Sequence, residues 1–448
     1  MPQRLVVALV VLIATLATAA PASASLFAPG APGLGDPYFP FAGNGGYDVK
    51  HYVLDLEYDP DSDVLDGSAL IVARATQALS RFDLDLRGFE LSKLTVNGLP
   101  ARFARDGQEL VITPRLKLSR GLPFVVRVVY RGVPEVITDP DESIEGWVPT
   151  PDGAFVVGEP QGAPGWFPAN DNPRDKASYD LAITVPAGRT ALGNGVLVSR
   201  HTRHGRTTWR WHERSPMASY LATATNGVFD LEITRGPGGL PIYTAVDPSQ
   251  ATDAAEPLAK QADIIAFFNG VYGRYPFDAA GAFVDDAPDV GYALESQTKP
   301  NYDSAPDELT VAHELSHQWF GDSVSLTVWP DIWLNEGFAT YSEWLWDEHE
   351  GGETPAAAFD ELYAIPETNA SFWNPPPGDP GEAANLFDGT IYDRGAMTLQ
   401  ALREKIGERA FFGLLRRWYA DNRDGNVTTA DFVALAERVS GQQLDAFF

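Results

Sequence analysis

The chain of 448 residues contains 0 cysteines and only 7 histidines. Without cysteine, no disulfide can brace the fold and no thiolate can bind a metal, so any metal site must use histidine and carboxylate ligands. Basic residues are also scarce, because 33 Lys and Arg stand against 61 Asp and Glu, which gives a formal net charge of −28. A surface this acidic repels nucleic acid and anionic lipid, so no nucleic acid partner is expected.

Long apolar runs are missing except at the N-terminus, where residues 5–20 follow the positive charge of Arg4. The small residues at 22–24 form a cleavage pattern, so residues 1–24 are predicted to be an export signal that is cut after Ala24. The alternative is a membrane anchor, but the run is short for a spanning helix. We therefore expect a secreted protein without stable membrane insertion after removal of the signal.

The first half of the chain shows the alternation of apolar and polar residues that is typical of strands with one buried face. The clearest cases are residues 52–58, 82–86, 124–130 and 179–185. No long helical pattern occurs before about residue 232. Residues 25–235 are therefore predicted to form one all-β domain.

A stretch rich in glycine at residues 235–239 is the predicted domain boundary. Helical spacing dominates after it, so residues 236–448 are predicted to form a mainly helical domain. The expected helical segments are 254–268, 305–320, 334–348, 392–406, 409–421 and 429–439, and a short strand is expected at 281–284. The predicted fold class is therefore α+β with more than one domain.

One of the helical segments carries two histidines four residues apart, His313 and His317, with Glu314 next to the first. Ser304 is predicted to cap this helix, with Pro306 in its first turn. Residues four apart lie on one face of a helix, so both imidazoles can bind one zinc ion. Glu314 is offset around the helix and is predicted to be the general base.

A zinc ion that catalyses hydrolysis keeps three protein ligands and one open position. Glu336 lies on the next helical segment, far enough along the chain to allow a loop and a return helix. The sequence therefore predicts one zinc ion held by His313, His317 and Glu336, which polarises a carbonyl and activates water. This pattern suits an aminopeptidase and a thermolysin-like endopeptidase equally, and a catalytically silent β-rich binding protein is a further alternative.

Residues 313–341 resemble the aminopeptidase N family of gluzincin metallopeptidases, which also includes the leukotriene hydrolases. The resemblance covers nearly the whole chain after residue 24. Further matching stretches are 158–163, 166–171, 275–277, 285–297 and 391–396. The resemblance implies a saddle-like N-terminal β domain, a thermolysin-like catalytic domain and one zinc ion per chain. It also implies aminopeptidase activity on peptides that have a free N-terminus.

The resemblance implies roles for three further residues. Glu295 matches the glutamate that binds the α-amine of the substrate, within a motif that reads Gly-x-Met-Glu-Asn in the family. Glu159 matches a second residue that helps to hold the amine. Tyr392 matches the tyrosine that stabilises the oxyanion of the tetrahedral intermediate.

The glutamate motif departs from the family pattern at three positions. Tyr292 stands where glycine is expected, Leu294 replaces Met and Ser296 replaces Asn. The sequence therefore does not predict which contacts this strand makes with the substrate backbone.

The chain also ends near the point where the catalytic domain of the family ends, so we expect a more open cleft than in relatives with a further helical domain. The sequence determines neither the oligomeric state nor the preferred first residue.

Overall fold

The structure of the protein is a computed structural model that describes residues 27–448, so the predicted export signal at residues 1–24 lies outside the described residues. The strands of the first half are β1 (Ala28–Pro29), β2 (Tyr47–Asp59), β3 (Val64–Ala75), β4 (Leu79–Asp85), β5 (Glu90–Val96), β6 (Leu99–Pro100), β7 (Arg102–Asp106), β8 (Glu109–Thr113), β9 (Pro123–Gly132), β10 (Val136–Thr138), β11 (Ile144–Pro149), β12 (Ala154–Val157), β13 (Ala177–Pro186), β14 (Thr190–Ala191), β15 (Val196–Arg203), β16 (Arg206–Met217) and β17 (Asn226–Gly227). Between residues 27 and 229, the only helical segments are the short turns Ala163–Gly165 and Ser219–Leu221. This confirms the prediction that the first half is β-rich.

The strands of the first half form three sheets. The largest has eight strands in the order β15-β16-β13-β2-β3-β9-β5-β6, and the other two have the orders β1-β4-β8-β7 and β10-β11-β12-β17-β14. The alternation seen in the sequence corresponds to burial on one face. Along β2, the side chains of Tyr52, Leu54, Leu56 and Tyr58 are all at most 2% exposed, as expected for a strand that covers the core with every second residue.

The second half combines a small sheet with most of the helices. Its elements are β18 (Asp230–Arg235), β19 (Pro241–Val246), α1 (Ala251–Ala259), α2 (Gln261–Val271), β20 (Ala280–Val284), β21 (Ala293–Leu294), β22 (Asn301–Tyr302), α3 (Glu308–His317), β23 (Ser325–Leu326), α4 (Trp333–Glu350), α5 (Pro355–Tyr363), α6 (Ala370–Trp373), α7 (Gly389–Ile406), α8 (Glu408–Asn422), β24 (Asn426–Val427) and α9 (Thr429–Ser440). The five-stranded sheet has the order β18-β19-β20-β22-β21. A β-rich half followed by a mainly helical half is the predicted fold class.

The hairpin of β18 and β19 spans the predicted domain boundary. Asp230 pairs with Val246 and Arg235 with Pro241, and β19 then pairs in parallel with β20. Sheet pairing therefore associates residues 230–235 with the second half. The division of the chain at residue 235 stays a prediction.

The helical segment predicted at residues 254–268 is two helices. Helix α1 ends at Ala259 and α2 begins at Gln261, with Lys260 between them. Pro257 lies inside α1. Because proline has no N–H group to donate, it weakens the last turn of α1 and favours the break that follows. Regular spacing of apolar residues continues across this break, so the sequence pattern did not show it.

The two halves share one apolar core and direct polar contacts. The rings of Tyr220 and Trp329 lie 5.4 Å apart between centroids, edge to face. The ammonium of Lys176 is buried and donates to the carbonyl oxygens of Asp322, at 2.8 Å, and Ser323, at 3.0 Å. Among residues 27–448, no helix combines the length and the apolar character needed to cross a bilayer.

Candidate metal centre

Helix α3 carries the paired histidines, and its first turn is fixed by an aspartate. The Asp307 carboxylate accepts a hydrogen bond from the backbone N–H of Thr310 at 2.7 Å. The prediction that Ser304 caps this helix is wrong. Pro306 disfavours the helical conformation in the residue before it, so the helix begins only after the proline. The histidines consequently occupy the final turns of α3, which ends at His317.

Three donor atoms converge between α3 and α4. The Nε2 atom of His313 lies 3.3 Å from Oε2 of Glu336, and Nε2 of His317 lies 3.4 Å from the same oxygen. Glu336 belongs to the first turn of α4, the helix that packs against α3. The side chains of His317 and Glu336 are buried, and that of His313 is 12% exposed. The predicted ligands therefore lie together, with one edge open to solvent.

The second nitrogen of each imidazole also has a partner. Nδ1 of His313 lies 2.5 Å from Oε1 of Glu343, and Nδ1 of His317 lies 3.1 Å from the carbonyl oxygen of Phe320. These acceptors favour a proton on Nδ1, which leaves the Nε2 lone pair for a cation. The sequence analysis missed Glu343. Its position seven residues after Glu336, on the same face of α4, was the available signal.

These residues fit a zinc ion. Two imidazoles and one carboxylate are a common donor set for catalytic zinc, and their ligand atoms all lie within 4.8 Å of one another. Burial lowers the pKa of His317, but the charges of Glu336 and Glu295 and the hydrogen bond to Glu336 together outweigh it and raise the pKa to about 9. Burial raises the pKa of Glu336, but the imidazoles outweigh it and lower the pKa to about 2. The site therefore strongly favours positive charge beside this carboxylate.

Glu314 lies beside the donor set without belonging to it. Its side chain is 5% exposed, and its Oε2 atom has no hydrogen-bond partner. Burial raises the pKa of Glu314 to about 7, against the opposing effect of His313 and His317. An unpartnered carboxylate oxygen in this position can accept a proton from water in the cleft.

Two further carboxylates approach Glu336 from different halves of the chain. Glu159 follows β12 and Glu295 follows β21. One carboxylate oxygen each of Glu159, Glu295 and Glu336 lies within 4.8 Å of the other two. Both side chains are buried, and the Oε1 atom of each has no hydrogen-bond partner. Burial, together with the charge of Glu295, raises the pKa of Glu159 well above its usual value. Carboxylates packed this closely keep a proton until a cation offsets the repulsion between their ionised forms.

The side chain that follows the second histidine connects Glu295 to α3. The amide of Gln318 donates from Nε2 to the carbonyl oxygen of Glu295 at 3.0 Å, and its Oε1 accepts from the backbone N–H of Thr298 at 2.7 Å. One amide group thus forms hydrogen bonds with the backbone of Glu295 and of Thr298, the two ends of the short segment after β21. This fixes Glu295 relative to His317.

A contact between two glycines brings Tyr392 to the site. A Cβ atom added to Gly337 would lie 2.7 Å from the Cα atom of Gly395, so α4 and α7 meet backbone to backbone. Tyr392 precedes Gly395 by about one turn of α7, and its ring stacks on His313 with centroids 6.0 Å apart. Burial raises the pKa of Tyr392 well above its usual value, so the hydroxyl stays protonated and can donate a hydrogen bond.

The residues that the sequence singled out line one cleft, with a volume of about 560 Å³. They are Glu159, Glu295, His313, Glu314, His317, Glu336 and Tyr392. Tyr292, Glu343 and the acidic loop at residues 141–143 also line this cleft. The structure thus brings together the metal donors, an unpartnered carboxylate beside them and two carboxylates on a neighbouring wall.

Two family models match the chain, the Peptidase M1 N-terminal domain at residues 48–221 and the Peptidase family M1 domain at residues 292–448. The M1 zinc metallopeptidase from Deinococcus radiodurans is 30% identical, with a TM-score of 0.83, and the match covers 91% of this chain and 93% of that chain. The chain therefore belongs to the M1 family of zinc metallopeptidases, that of aminopeptidase N. This confirms the resemblance seen in the sequence and the fold that it implied.

Two further relatives define the extent of the similarity. Aminopeptidase A from Gloydius brevicauda is 26% identical over 88% of this chain and 45% of its own length. A mutant of the Deinococcus radiodurans enzyme bound to the substrate Tyr-Ser-Ala is 29% identical, with a TM-score of 0.84, over 92% of this chain and 95% of that chain. The chain spans about a third to just under half of the length of the curated relatives that it matches.

Proposed function

We propose that this chain is a secreted zinc aminopeptidase that removes the N-terminal residue from peptides. The observation that carries the proposal is the pair Glu159 and Glu295, two buried carboxylates with unpartnered oxygens beside Glu336. An ammonium group offsets the repulsion of such a pair through charge-assisted hydrogen bonds. An α-amine held at this distance from the metal donors leaves the first peptide bond next to them. The Deinococcus radiodurans relative with a bound tripeptide supports a peptide as the substrate.

The remaining residues have complementary roles in the proposed reaction. His313, His317 and Glu336 would hold the zinc ion, which when bound would supply a Lewis acid to polarise the scissile carbonyl and lower the pKa of water. Glu314 accepts a proton from the attacking water and later delivers it to the leaving amine. Tyr392 donates a hydrogen bond from its hydroxyl to the oxyanion that develops.

Matched substrates with and without a free amine test the proposal. An aminoacyl fluorogenic amide should be cleaved, and its N-acetylated counterpart should be cleaved at least about 100-fold more slowly. Acetylation removes the charge that Glu159 and Glu295, the proposed amine clamp, would bind. A chelator should abolish turnover, and added zinc should restore it.

Two outcomes would contradict the proposal in different ways. Equal cleavage of the free and acetylated substrates would favour the thermolysin-like endopeptidase and leave the metal assignment intact. No turnover, together with no stoichiometric uptake of zinc, would favour the silent binding protein.

Export is a separate part of the proposal and rests on the pattern at residues 1–24. Protein recovered from the medium of expressing cells should begin at Ser25. Recovery only inside the cells, with residues 1–24 still attached, would contradict export.

A further inference from the structure

Tyr292 stands where the family motif has glycine, and its side chain links the two halves of the chain. The Tyr292 hydroxyl donates a hydrogen bond to the carbonyl oxygen of Ile144 at 3.0 Å. Tyr292 lies three residues before Glu295, and Ile144 is the first residue of β11 in the first half. The bond therefore crosses one wall of the cleft.

Strand β11 also holds the loop that carries Glu159. Glu145, the neighbour of Ile144, is buried, and both of its carboxylate oxygens lie close to the backbone N–H of Gln161, at 3.1 and 3.2 Å. Gln161 follows Glu159 by two residues. Ile144 and Glu145 consequently connect the Tyr292 hydroxyl on one side to the Glu159 loop on the other.

The ring of Tyr292 adds an apolar contact to the hydrogen bond. It packs against a small cluster that is separate from the main core. The buried members of this cluster are Val148, Phe155, Val157, Ala287, Val290 and Leu294, three from each half of the chain. A glycine at position 292 could supply neither the ring nor the hydroxyl, so the link depends on the residue by which this chain departs from the family.

We propose that Tyr292 is a positioning residue that sets the spacing between Glu159 and Glu295 and thereby the affinity for the α-ammonium of the substrate. The two carboxylates come from different halves, so their spacing depends on contacts that join the halves. A clamp needs both carboxylates within hydrogen-bond reach of one ammonium at the same time. The hydrogen bond from Tyr292 to Ile144 is such a contact, and it keeps the spacing in the free enzyme. This inference rests on the proposed aminopeptidase function.

The test uses Tyr292→Phe, which removes only the hydroxyl, and Tyr292→Gly, which removes the whole link. The matched control is Tyr419→Phe, because the Tyr419 hydroxyl also donates to a backbone carbonyl, that of Arg274 at 2.9 Å, away from the cleft. Two hydroxamate inhibitors are measured on each zinc-loaded protein, an amino acid hydroxamate and the same compound without its amine. The ratio of their inhibition constants reports the contribution of the amine alone.

We expect Tyr292→Phe to reduce this ratio about five- to tenfold, as for the loss of one neutral hydrogen bond. Tyr292→Gly should reduce it further, and Tyr419→Phe should leave it unchanged. The inhibition constant of the compound without an amine should stay the same in Tyr292→Phe and Tyr419→Phe, because this compound has no ammonium for Glu159 and Glu295 to bind. Thermal unfolding of each variant checks that the fold is retained, and Tyr292→Phe decides the question if the glycine variant does not fold.

A large ratio in the original protein that Tyr292→Phe keeps in full would overturn the role of Tyr292 and leave the aminopeptidase function standing. An equal loss of affinity for both hydroxamates would also overturn it, since that result describes general damage to the site. A ratio near one in the original protein would overturn the amine clamp itself.

Discussion

Two groups of buried carboxylates in this protein differ in the hydrogen-bond partners that surround them. The cleft group consists of Glu159, Glu295, Glu314 and Glu336, and the frame group consists of Asp85, Asp171 and Asp175 in the first half. In the frame group the protein supplies the partners: Asp85 accepts from the backbone N–H of Asp171 at 2.9 Å, Asp171 from the hydroxyl of Ser219 at 2.6 Å, and Asp175 from the backbone N–H of Val49 at 3.0 Å.

The cleft group leaves much of its bonding capacity to a ligand. Glu336 contacts the imidazoles, whereas Glu159, Glu295 and Glu314 each keep a buried oxygen without a partner. Asp171 also keeps one such oxygen, Oδ2, but Ser219 donates to its other oxygen. Burial raises the pKa of Asp171 and Asp175 to about 7, so burial alone does not distinguish the two groups. What distinguishes them is that each frame carboxylate accepts a hydrogen bond from the protein, whereas the cleft carboxylates line a cavity that a cation or an amine can enter. Replacing single carboxylates by carboxamides of nearly equal size separates these roles.

Glu314→Gln should have the largest effect. A carboxamide cannot accept the proton of the attacking water, so kcat should fall about 1000-fold. Zinc content, measured by mass spectrometry of the purified variant, should remain one ion per chain because Glu314 is not among the converging donors. Substantial remaining turnover would show that Glu314 is not the base.

Glu336→Gln should weaken metal binding. Loss of the charged ligand should reduce zinc affinity on the order of 100-fold, as measured by competition with a chromogenic chelator. Glu343→Gln is the matched comparison, since Glu343 contacts His313 on the nitrogen that faces away from the metal donors. It should reduce affinity only about tenfold. Equal affinities in both variants and the original protein would contradict the assignment of the ligands.

Glu295→Gln should act on the substrate and leave the metal in place. The variant loses half of the proposed clamp, so kcat/KM for a free aminoacyl amide should fall about 100-fold. The slow cleavage of the N-acetylated amide should hardly change. A parallel fall for both substrates would mean that Glu295 supports the site in general and does not recognise the amine.

Asp171→Asn should have the smallest effect, and it should appear only in stability. Burial raises the pKa of Asp171 from 3.8 to about 7, so the folded protein keeps a proton that the unfolded chain releases. Its contribution to stability is complete below about pH 4 and is lost as the pH rises towards 7. The free energy of unfolding of the asparagine variant, relative to that of the original protein, should therefore rise by on the order of 2 kcal/mol from pH 5 to pH 8, as measured by urea unfolding. A difference in unfolding free energy between the two proteins that does not change with pH would show that Asp171 does not titrate in this range.

Local spacing in the sequence predicted the metal donors because an interval of four residues on a helix places both imidazoles on one face. The same local reasoning predicted Ser304 as the cap. It placed Pro306 inside the first turn, whereas the helix begins after the proline and Asp307 is the cap. Contacts between distant segments were out of reach. The hydrogen bond from Tyr292 to Ile144 joins residues from different halves, and no periodicity indicates it. The β-rich first half and the helical second half followed from patterns that repeat over many residues.

The contact of Gly337 with Gly395 makes one wall of the cleft far less tolerant of substitution than the other. At that contact, backbone meets backbone, and any side chain would force α4 and α7 apart. The distance from Glu336 to Tyr392 therefore cannot be adjusted by exchanging one residue for a slightly larger one. The neighbouring wall, which carries Glu159 and Glu295, is held by side chains such as that of Tyr292, which can be exchanged in small steps. Efforts to change the substrate range of this protein should begin on that side and leave the glycine pair intact.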